Sequence, residues 1–320
     1  MTYCPTGTRN APNPRTCTIL RLLCLVLLLC NGCARKEDDK ERIAFTSDWT
    51  GNCEIYIVDP QGQIFQQITN HESADLEPSL DPEGWIAFSS NRDGDYEVFR
   101  MDPEGAVSQL TFNLSTDRQP EWSPDGREIL FVRYSFWGGY DIYRMDRDGS
   151  NQTNLTNSPE DESGPKWSPD GRQIVFSKTI GSNSEIFVMN RDGSGLLQLT
   201  DRTAADFSPA WSPDGSTIAF CSESNPGSWH YQIFTMHVDG TGITQVTTGD
   251  DDRDPVWSPN GKRIAVVKYD FNGTQIVIIR PDGIKTSDLT QVCGYNTSPD
   301  WKLIRVRRGN GTRLVAWDRN

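Results

Sequence analysis

Short apolar segments of three to five residues recur along most of the chain, separated by polar stretches rich in glycine, proline and aspartate. The runs 174–176 (Ile-Val-Phe) and 185–189 (Glu-Ile-Phe-Val-Met) are typical. Their β-branched and aromatic side chains, without a helical period, predict short β-strands. Ser-Pro-Asp-Gly and Asp-Gly steps between them are typical of hairpin turns. The pattern predicts an all-β protein built from antiparallel hairpins.

One motif returns at nearly constant spacing. Pro-x-Trp-Ser-Pro-Asp-Gly occupies residues 120–126, 165–171 and 209–215, and a copy with Asn in place of Asp occupies 255–261. A degenerate copy carries Leu80 at the Trp position, and a shortened copy ends at Trp301. The Trp positions are 42, 45, 44, 46 and 44 residues apart. A period of about 40–45 residues with four short strands predicts propeller blades.

The two ends of the repeat region complement each other. The first unit, from Arg42, lacks a Pro-x-Trp strand, whereas the last Pro-x-Trp strand has no complete unit after it. We therefore expect residues 298–303 to supply the missing strand and to close a ring of six four-stranded antiparallel blades over residues 42–303. The recurring tryptophans are expected to pack between blades; a ring of aromatic binding residues is the alternative.

Residues 1–32 are predicted to be a signal peptide. Three arginines are their only charges, and residues 22–30 form an apolar run too short to span a bilayer. Gly32-Cys33 resembles the end of a bacterial lipobox, which predicts lipidation of Cys33. An ordinary cleaved signal peptide is the alternative. Residues 33–41 then form a tether after the lipidated cysteine, and residues 304–320 form a basic tail.

Removing residues 1–32 changes the formal net charge from −13 to −16, because it takes away three arginines and no acidic residue. Such a surface repels phosphate backbones, argues against nucleic-acid binding and favours cationic partners. The cysteines left besides Cys33 are Cys53, Cys221 and Cys293. The predicted blade order brings the first and last of these to the seam of the ring, so we expect a Cys53–Cys293 disulfide and a buried Cys221 thiol; three free thiols are the alternative.

The repeated Pro-x-Trp-Ser-Pro-Asp-Gly, Ile-Ala-Phe-(Ser/Thr), Glu-Ile-Tyr and Asp-Gly-x₄-Leu-Thr motifs resemble the TolB-type propeller, also called the PD40 or WD40-like repeat. The resemblance implies a role in the cell envelope, since TolB belongs to a periplasmic assembly with a peptidoglycan-associated lipoprotein. Some similar propellers are lyases of pectate fragments that use a metal held by clustered histidines. Fold alone does not choose among these functions.

Two sets of residues are candidates for binding. Three residues before each repeat proline stands a polar side chain, and five of the six are acidic: Asp75, Asp117, Glu162, Asp206 and Asp252. This acidic ring is expected at one mouth of the central channel, either as a cation or basic-peptide site or as carboxylates that each fix their own loop. The second set consists of aromatic residues and one histidine in the variable loops, which either recognise a ligand or pack locally: Trp49, Phe136, Trp137, Tyr140, Trp229, His230, Tyr269 and Phe271.

The sequence contains no recognised catalytic or nucleotide-binding motif. Its three histidines, His71, His230 and His237, fall in different parts of the predicted ring, so no metal or other cofactor is expected. The favoured hypothesis is a non-catalytic, exported and lipid-anchored propeller that binds a protein or glycan of the cell envelope. The alternatives are an enzyme acting on polysaccharide fragments and a TolB-like assembly component. The sequence carries no signal for an oligomeric state.

Overall fold

The computed structural model describes residues 40–304 except 64, 136–137, 225–226, 229, 250, 271–272 and 291–294. The predicted signal peptide, Cys33, most of the tether and the tail from residue 305 lie outside these residues. In chain order the strands are β1 (Lys40–Ser47), β2 (Glu54–Val58), β3 (Phe65–Gln67), β4 (Asp75–Leu80), β5 (Ile86–Ser90), β6 (Glu97–Met101), β7 (Val107–Gln109), β8 (Asp117–Trp122), β9 (Glu128–Tyr134), β10 (Tyr140–Asp146), β11 (Thr153–Asn154), β12 (Glu162–Trp167), β13 (Gln173–Ile180), β14 (Asn183–Asn190), β15 (Leu197–Gln198), β16 (Asp206–Trp211), β17 (Thr217–Glu223), β18 (Tyr231–His237), β19 (Thr244–Gln245), β20 (Asp251–Trp257), β21 (Ile264–Asp270), β22 (Gly273–Ile279), β23 (Lys285–Asp288) and β24 (Asn296–Ile304).

These strands form six four-stranded antiparallel sheets, which are the blades of a propeller. Blade 1 has the order β24-β1-β2-β3, and blades 2 to 6 are β4–β7, β8–β11, β12–β15, β16–β19 and β20–β23. The predicted six-bladed all-β fold is confirmed. No helix among the described residues has the length and apolar character needed to cross a membrane.

The predicted closure of the ring is also confirmed. Strand β24 pairs antiparallel with β1, with Lys40 opposite Ile304 and Ser47 opposite Asn296. The strand β1 begins at Lys40, two residues before the predicted start, so it includes the end of the segment assigned to the tether. Because the last strand completes the first blade, the two ends of the repeat region are hydrogen-bonded into the ring instead of leaving two open edges.

The repeat tryptophans fill the spaces between blades. Trp122 of blade 3 packs with Ala87 and Val98 of blade 2 in one apolar cluster, and it is 1% exposed. Leu80 takes the same position in blade 2, where it packs against Ala44 of blade 1. The prediction of blade-to-blade packing is therefore confirmed. An apolar side chain of different shape is tolerated here because only volume and hydrophobicity are required.

The threonine that ends each repeat, after Leu in four blades and after Ile or Val in the other two, has a hydrogen-bonding role. In blade 2 the Thr111 hydroxyl accepts the backbone N–H of Val98 at 2.8 Å and donates to the carboxylate of Glu97. Equivalent threonines accept the equivalent N–H in the other five blades. This arrangement satisfies buried polar groups beside the outer strand, which explains why the threonine returns with the repeat.

One glycine shows why the outer turns require Asp-Gly. Gly149 has φ of 88°, and a Cβ atom there would lie 2.6 Å from the backbone oxygen of Leu110 in the preceding blade. The glycine therefore serves both the turn and the approach of neighbouring blades.

The cysteines agree with the expected division of roles as far as the structure describes them. Cys221 is a free thiol with no exposed surface, as predicted. Cys53 is disulfide-bonded, and its partner lies outside the described residues. Cys293 lies outside them as well, so the Cys53–Cys293 pair stays a prediction.

Candidate ligand-binding cavity at the loop face

The two ends of the ring differ in character. At the turn face, Ser-Pro-Asp-Gly and Asp-Gly turns join strands one to two and three to four of each blade. At the loop face, longer loops lead into the innermost strands and join strands two to three, because strand direction alternates within a blade. A cavity of about 500 Å³ lies in the central channel, lined by residues from the innermost strands of all six blades.

Each innermost strand contains a β-bulge where it lines this cavity. The pairing with the second strand shifts register between Leu76 and Ser79 in blade 2, and at the equivalent place in every other blade. The residue before the repeat proline adopts φ between 50° and 61° and lines the cavity in all six blades: Glu77, Gln119, Gly164, Ser208, Asp254 and Ser298. We call these six residues the bulge ring.

The bulge ring has a costly backbone conformation. Five of its members are not glycine, and residues that precede proline normally avoid helical conformations of either hand. Such strain persists only where the surroundings impose it, and it is common at functional sites. Hydrogen bonds from the preceding blade are part of these surroundings: the N–H of Glu77 donates to the Thr46 hydroxyl of that blade at 3.0 Å. Ser89 and Ser177 accept the equivalent N–H groups of Gln119 and Ser208.

Aromatic side chains form part of the cavity wall. Tyr140, Phe207, Tyr231 and Tyr269 all line it and are partly buried. The guanidinium of Arg253 lies 4.4 Å from the ring centre of Tyr231 and 4.5 Å from that of Tyr269. Burial raises the pKa of the Tyr140, Tyr231 and Tyr269 hydroxyls, so they are neutral hydrogen-bonding groups at physiological pH.

Several charges of the cavity are paired within the protein. Arg118 forms an ion pair with Glu77 at 2.8 Å, which raises the pKa of the guanidinium. Arg253 pairs with Asp251 at 2.7 Å, and Lys166 pairs with Glu121 at 2.7 Å. Below them, at the turn-face side, Lys302 of the closing strand contacts both Glu121 and Asp300. These pairs make the walls polar without giving them a large net charge.

Asp254 is different. Its carboxylate accepts one hydrogen bond, from the Ser208 hydroxyl at 2.9 Å, and forms no ion pair among the described residues. Burial raises its pKa, although the Ser208 hydrogen bond and the more distant charges of Arg253 and Lys166 act in the opposite direction. The cavity therefore contains a carboxylate with unused acceptor capacity.

The predicted acidic ring begins the innermost strands, but its members are buried. Four of the five carboxylates contact a cation of their own blade, in the pairs Asp75–Arg92, Asp117–Arg133, Glu162–Lys178 and Asp206–Arg202. Asp252 is buried too and lies opposite Lys268 in the strand register. The predicted alternative is that each carboxylate fixes its own loop; in these four pairs the carboxylate holds a cationic side chain of its own blade, so the geometry favours a structural role over a cation or basic-peptide site.

The predicted loop residues fall into three groups. Tyr140 and Tyr269 line the cavity. Trp49 is 54% exposed and packs edge-on against Phe65 at 5.1 Å between ring centres, while His230 is exposed; neither lines the cavity. The remaining four, Phe136, Trp137, Trp229 and Phe271, lie outside the described residues.

The histidines do not form a metal site within the described part of the chain. The acidic, histidine and cysteine side chains there make a single compact group, Asp93, Asp95 and Glu97, at the start of β6 and in the loop before it, and this group includes no histidine. Glu97 already receives hydrogen bonds from Thr111 and Asn113.

Sequence reasoning missed the bulge ring and two cationic wall residues, Arg118 and Arg253. One signal could have found the ring. The residue before each repeat proline is chemically varied, whereas the proline itself and the polar residue two positions before the varied residue are nearly constant. In a repeat protein, variation at one fixed position indicates that the position does not serve the shared fold.

The fold and cavity together define a six-bladed propeller with a polar, aromatic-walled channel site. The family described as the TolB beta propeller domain, PD40, matches residues 30–183 and 159–303. The chain therefore belongs to this family, and the resemblance inferred from the repeats is confirmed.

Individual relatives are more distant. A TolB homolog of Chlorobaculum tepidum is 28% identical over 116 residues, 36% of this chain and 26% of that protein, so the match spans about a quarter of the relative. TolB from Acinetobacter baumannii superposes with a TM-score of 0.72 at 23% identity, over 82% of this chain and 67% of that one. An oligogalacturonate lyase from Vibrio parahaemolyticus gives 0.57 at 14% identity, over 77% and 73%. Both structural likenesses concern the fold alone.

Proposed function

We propose that this chain is a non-catalytic propeller of the cell envelope that binds a protein or glycan partner through its loop face. The observation that carries the proposal is the cavity, which opens among the bulge ring and combines aromatic walls with a carboxylate of unused acceptor capacity. Concave, partly apolar sites with a few convergent polar groups are the usual form of a binding site. Membership of the TolB propeller family supports the envelope setting.

We further propose that Cys33 is lipidated and anchors the protein. The geometry of the ring would then set its orientation, because Lys40 and Ile304 are paired at the turn face. Six residues lie between Cys33 and Lys40, so the two Cα atoms are at most about 25 Å apart when this segment is extended. An anchor at Cys33 would hold the turn face towards the membrane and leave the loop face open to a partner. Cys33→Ser should move the protein from the membrane to the soluble fraction; unchanged membrane association would contradict the anchor.

Capture from a cell-envelope extract tests the binding function. The full chain should retain a partner that Trp49→Ala, Trp137→Ala and Trp229→Ala variants retain less well, by about 2 kcal/mol or more for a hot-spot residue. Ile284→Ala is the matched control, since Ile284 is 55% exposed and follows a turn-face glycine. Equal capture by all variants would contradict binding through the loop face. Retention of a peptidoglycan-associated lipoprotein would favour a TolB-like assembly role.

The enzyme alternative is supported by the shared fold with an oligogalacturonate lyase, which at 14% identity concerns architecture alone. Metal analysis of the purified protein separates the two functions. A stoichiometric transition metal would favour the enzyme, and the absence of bound metal after purification without chelators would favour the binding protein.

A further inference from the structure

Two carboxylates of the cavity lack a cationic partner. Among the described lining residues, Asp161 and Asp254 form no ion pair, whereas Glu77 and Glu162 pair with Arg118 and Lys178. Asp161 accepts the backbone N–H of Tyr140 at 2.9 Å, and Asp254 accepts the Ser208 hydroxyl at 2.9 Å. Each carboxylate has room for further donors, because an ionised carboxyl group accepts up to about four hydrogen bonds.

These carboxylates line one cavity from blades that are two positions apart in the ring. Asp161 precedes β12 of blade 4, and Asp254 lies within β20 of blade 6, so blade 5 separates them. Asp254 is held inward by the bulge, with φ of 50°. Both carboxylates are partly exposed in the cavity, and a ligand that donates charged hydrogen bonds would use their free acceptor positions.

The aromatic walls are less available to a sugar ring than their number suggests. Arg253 already covers a face of both Tyr231 and Tyr269, which is the position that a stacked sugar would take. Phe207 packs edge-on against Tyr231 at 4.8 Å, and Tyr134 packs edge-on against Tyr140 at 5.2 Å. The rings therefore narrow the cavity and exclude water, while their neutral hydroxyls add hydrogen-bonding groups.

We propose that this cavity binds a lysine or arginine side chain presented by a partner protein, with Asp161 and Asp254 as its carboxylate acceptors. The proposal rests on the proposed binding function and narrows its partner from a protein or glycan to a protein with a basic segment. A volume of about 500 Å³ accommodates such a side chain with its flanking backbone. The formal net charge of −13 would attract a basic segment from a distance.

The test measures binding of fluorescent hexalysine, hexaarginine and hexaglutamate peptides to the purified full chain by anisotropy. Asp161→Asn and Asp254→Asn should each weaken binding of the preferred basic peptide by about tenfold or more. Asn preserves the acceptor for Tyr140 or Ser208, so both variants should fold, and thermal melting checks this. Asp239→Asn is the matched control, because it removes an equal charge from an exposed turn-face residue; it should change affinity by less than about twofold.

Three outcomes would overturn the proposal. Equal weakening of basic-peptide binding by Asp254→Asn and Asp239→Asn would show that net charge alone attracts the peptide. Binding of hexaglutamate as tight as that of the basic peptides, or tight binding of a galacturonate hexamer with weak binding of both basic peptides, would exclude a site for a basic side chain. If the full chain captures an envelope protein and Asp254→Asn leaves that capture unchanged, the proposed function stands and this inference fails. The difference between hexalysine and hexaarginine identifies which basic side chain the cavity prefers.

Discussion

The acidic ring and the bulge ring lie two residues apart in the same innermost strands, yet they differ in burial, in contacts and in side-chain chemistry. The acidic ring is nearly uniform in chemistry and buried, and four of its five carboxylates contact a cation of their own blade. The bulge ring is uniform in backbone conformation but varied in side chain, and all six members line the cavity.

This difference gives a way to distinguish, in a repeated fold, the positions that maintain the structure from the positions that are available for recognition. A side chain that returns with every blade performs a task that the blades share, such as pairing with a partly buried cation. A position whose conformation is shared but whose side chain is not gives each blade a separate contribution to one asymmetric site. The strained conformation of the bulge ring fits this division, since strain is retained where it positions a side chain for function.

The largest expected effect on stability comes from opening the propeller, because the acidic ring and the bulge ring keep their positions only while β24 pairs with β1. Truncation after Thr290 removes that strand and exposes an edge of blade 1 together with its apolar contacts. We expect loss of cooperative unfolding in calorimetry. Truncation after Ile304 is the control and should unfold cooperatively. Cooperative melting of the shorter protein at the full chain's temperature would contradict the role of closure.

Neutralising one carboxylate of the acidic ring should be the next largest effect. In Asp117→Asn, Arg133 loses the charge it contacts at 2.7 Å while its side chain stays only 19% exposed. An uncompensated buried charge costs about 3–5 kcal/mol, so chemical denaturation should show a loss of this order. The double variant Asp117→Asn, Arg133→Met should recover part of it. A loss below about 1 kcal/mol would show that the charge of Asp117 contributes little to the stability of the fold.

A smaller effect is expected from pH, through Glu97 beside the acidic ring. Burial raises the pKa of Glu97 to about 7, despite the hydrogen bonds from Thr111 and Asn113. A carboxyl group whose pKa is raised by folding stabilises the protein below its unfolded pKa, and that contribution is lost as pH rises through the folded value.

The free energy of unfolding of the wild type should therefore fall relative to that of Glu97→Gln between pH 5 and pH 7.5, by about 1–2 kcal/mol after allowance for solvent screening. Denaturant titrations at both pH values measure the difference. A difference that is constant with pH, or that grows in favour of the wild type, would exclude a raised pKa.

The smallest effect on stability is expected in the bulge ring. Asp254→Asn keeps the acceptor for Ser208 and removes a charge that burial disfavours. Unfolding free energy at pH 7.5 should stay within about 1 kcal/mol of the wild type or rise. A loss as large as that of Asp117→Asn would show that Asp254 stabilises the fold as strongly as a member of the acidic ring does, which would contradict the distinction between the two rings.

The sequence by itself determined the number of blades, their strand order and the closing strand at Trp301, because these follow from a local pattern repeated six times. It also indicated the packing role of the tryptophans, since Leu80 could replace one of them. These features depend on local turn chemistry and on hydrophobic periodicity, which a sequence records directly.

Only the tertiary structure decided which side chains meet. The sequence showed five repeated acids, but not that Arg92, Arg133, Lys178 and Arg202 neutralise four of them. It showed Tyr140 and Tyr269 among several loop aromatics, but not that Arg118, Phe207, Arg253 and Asp254 share their cavity. Those residues come from different blades, far apart in the chain, and their meeting depends on ring closure and on a bulge before each proline. Neither the curvature of the ring nor the direction in which a bulge points a side chain is a local property of the sequence.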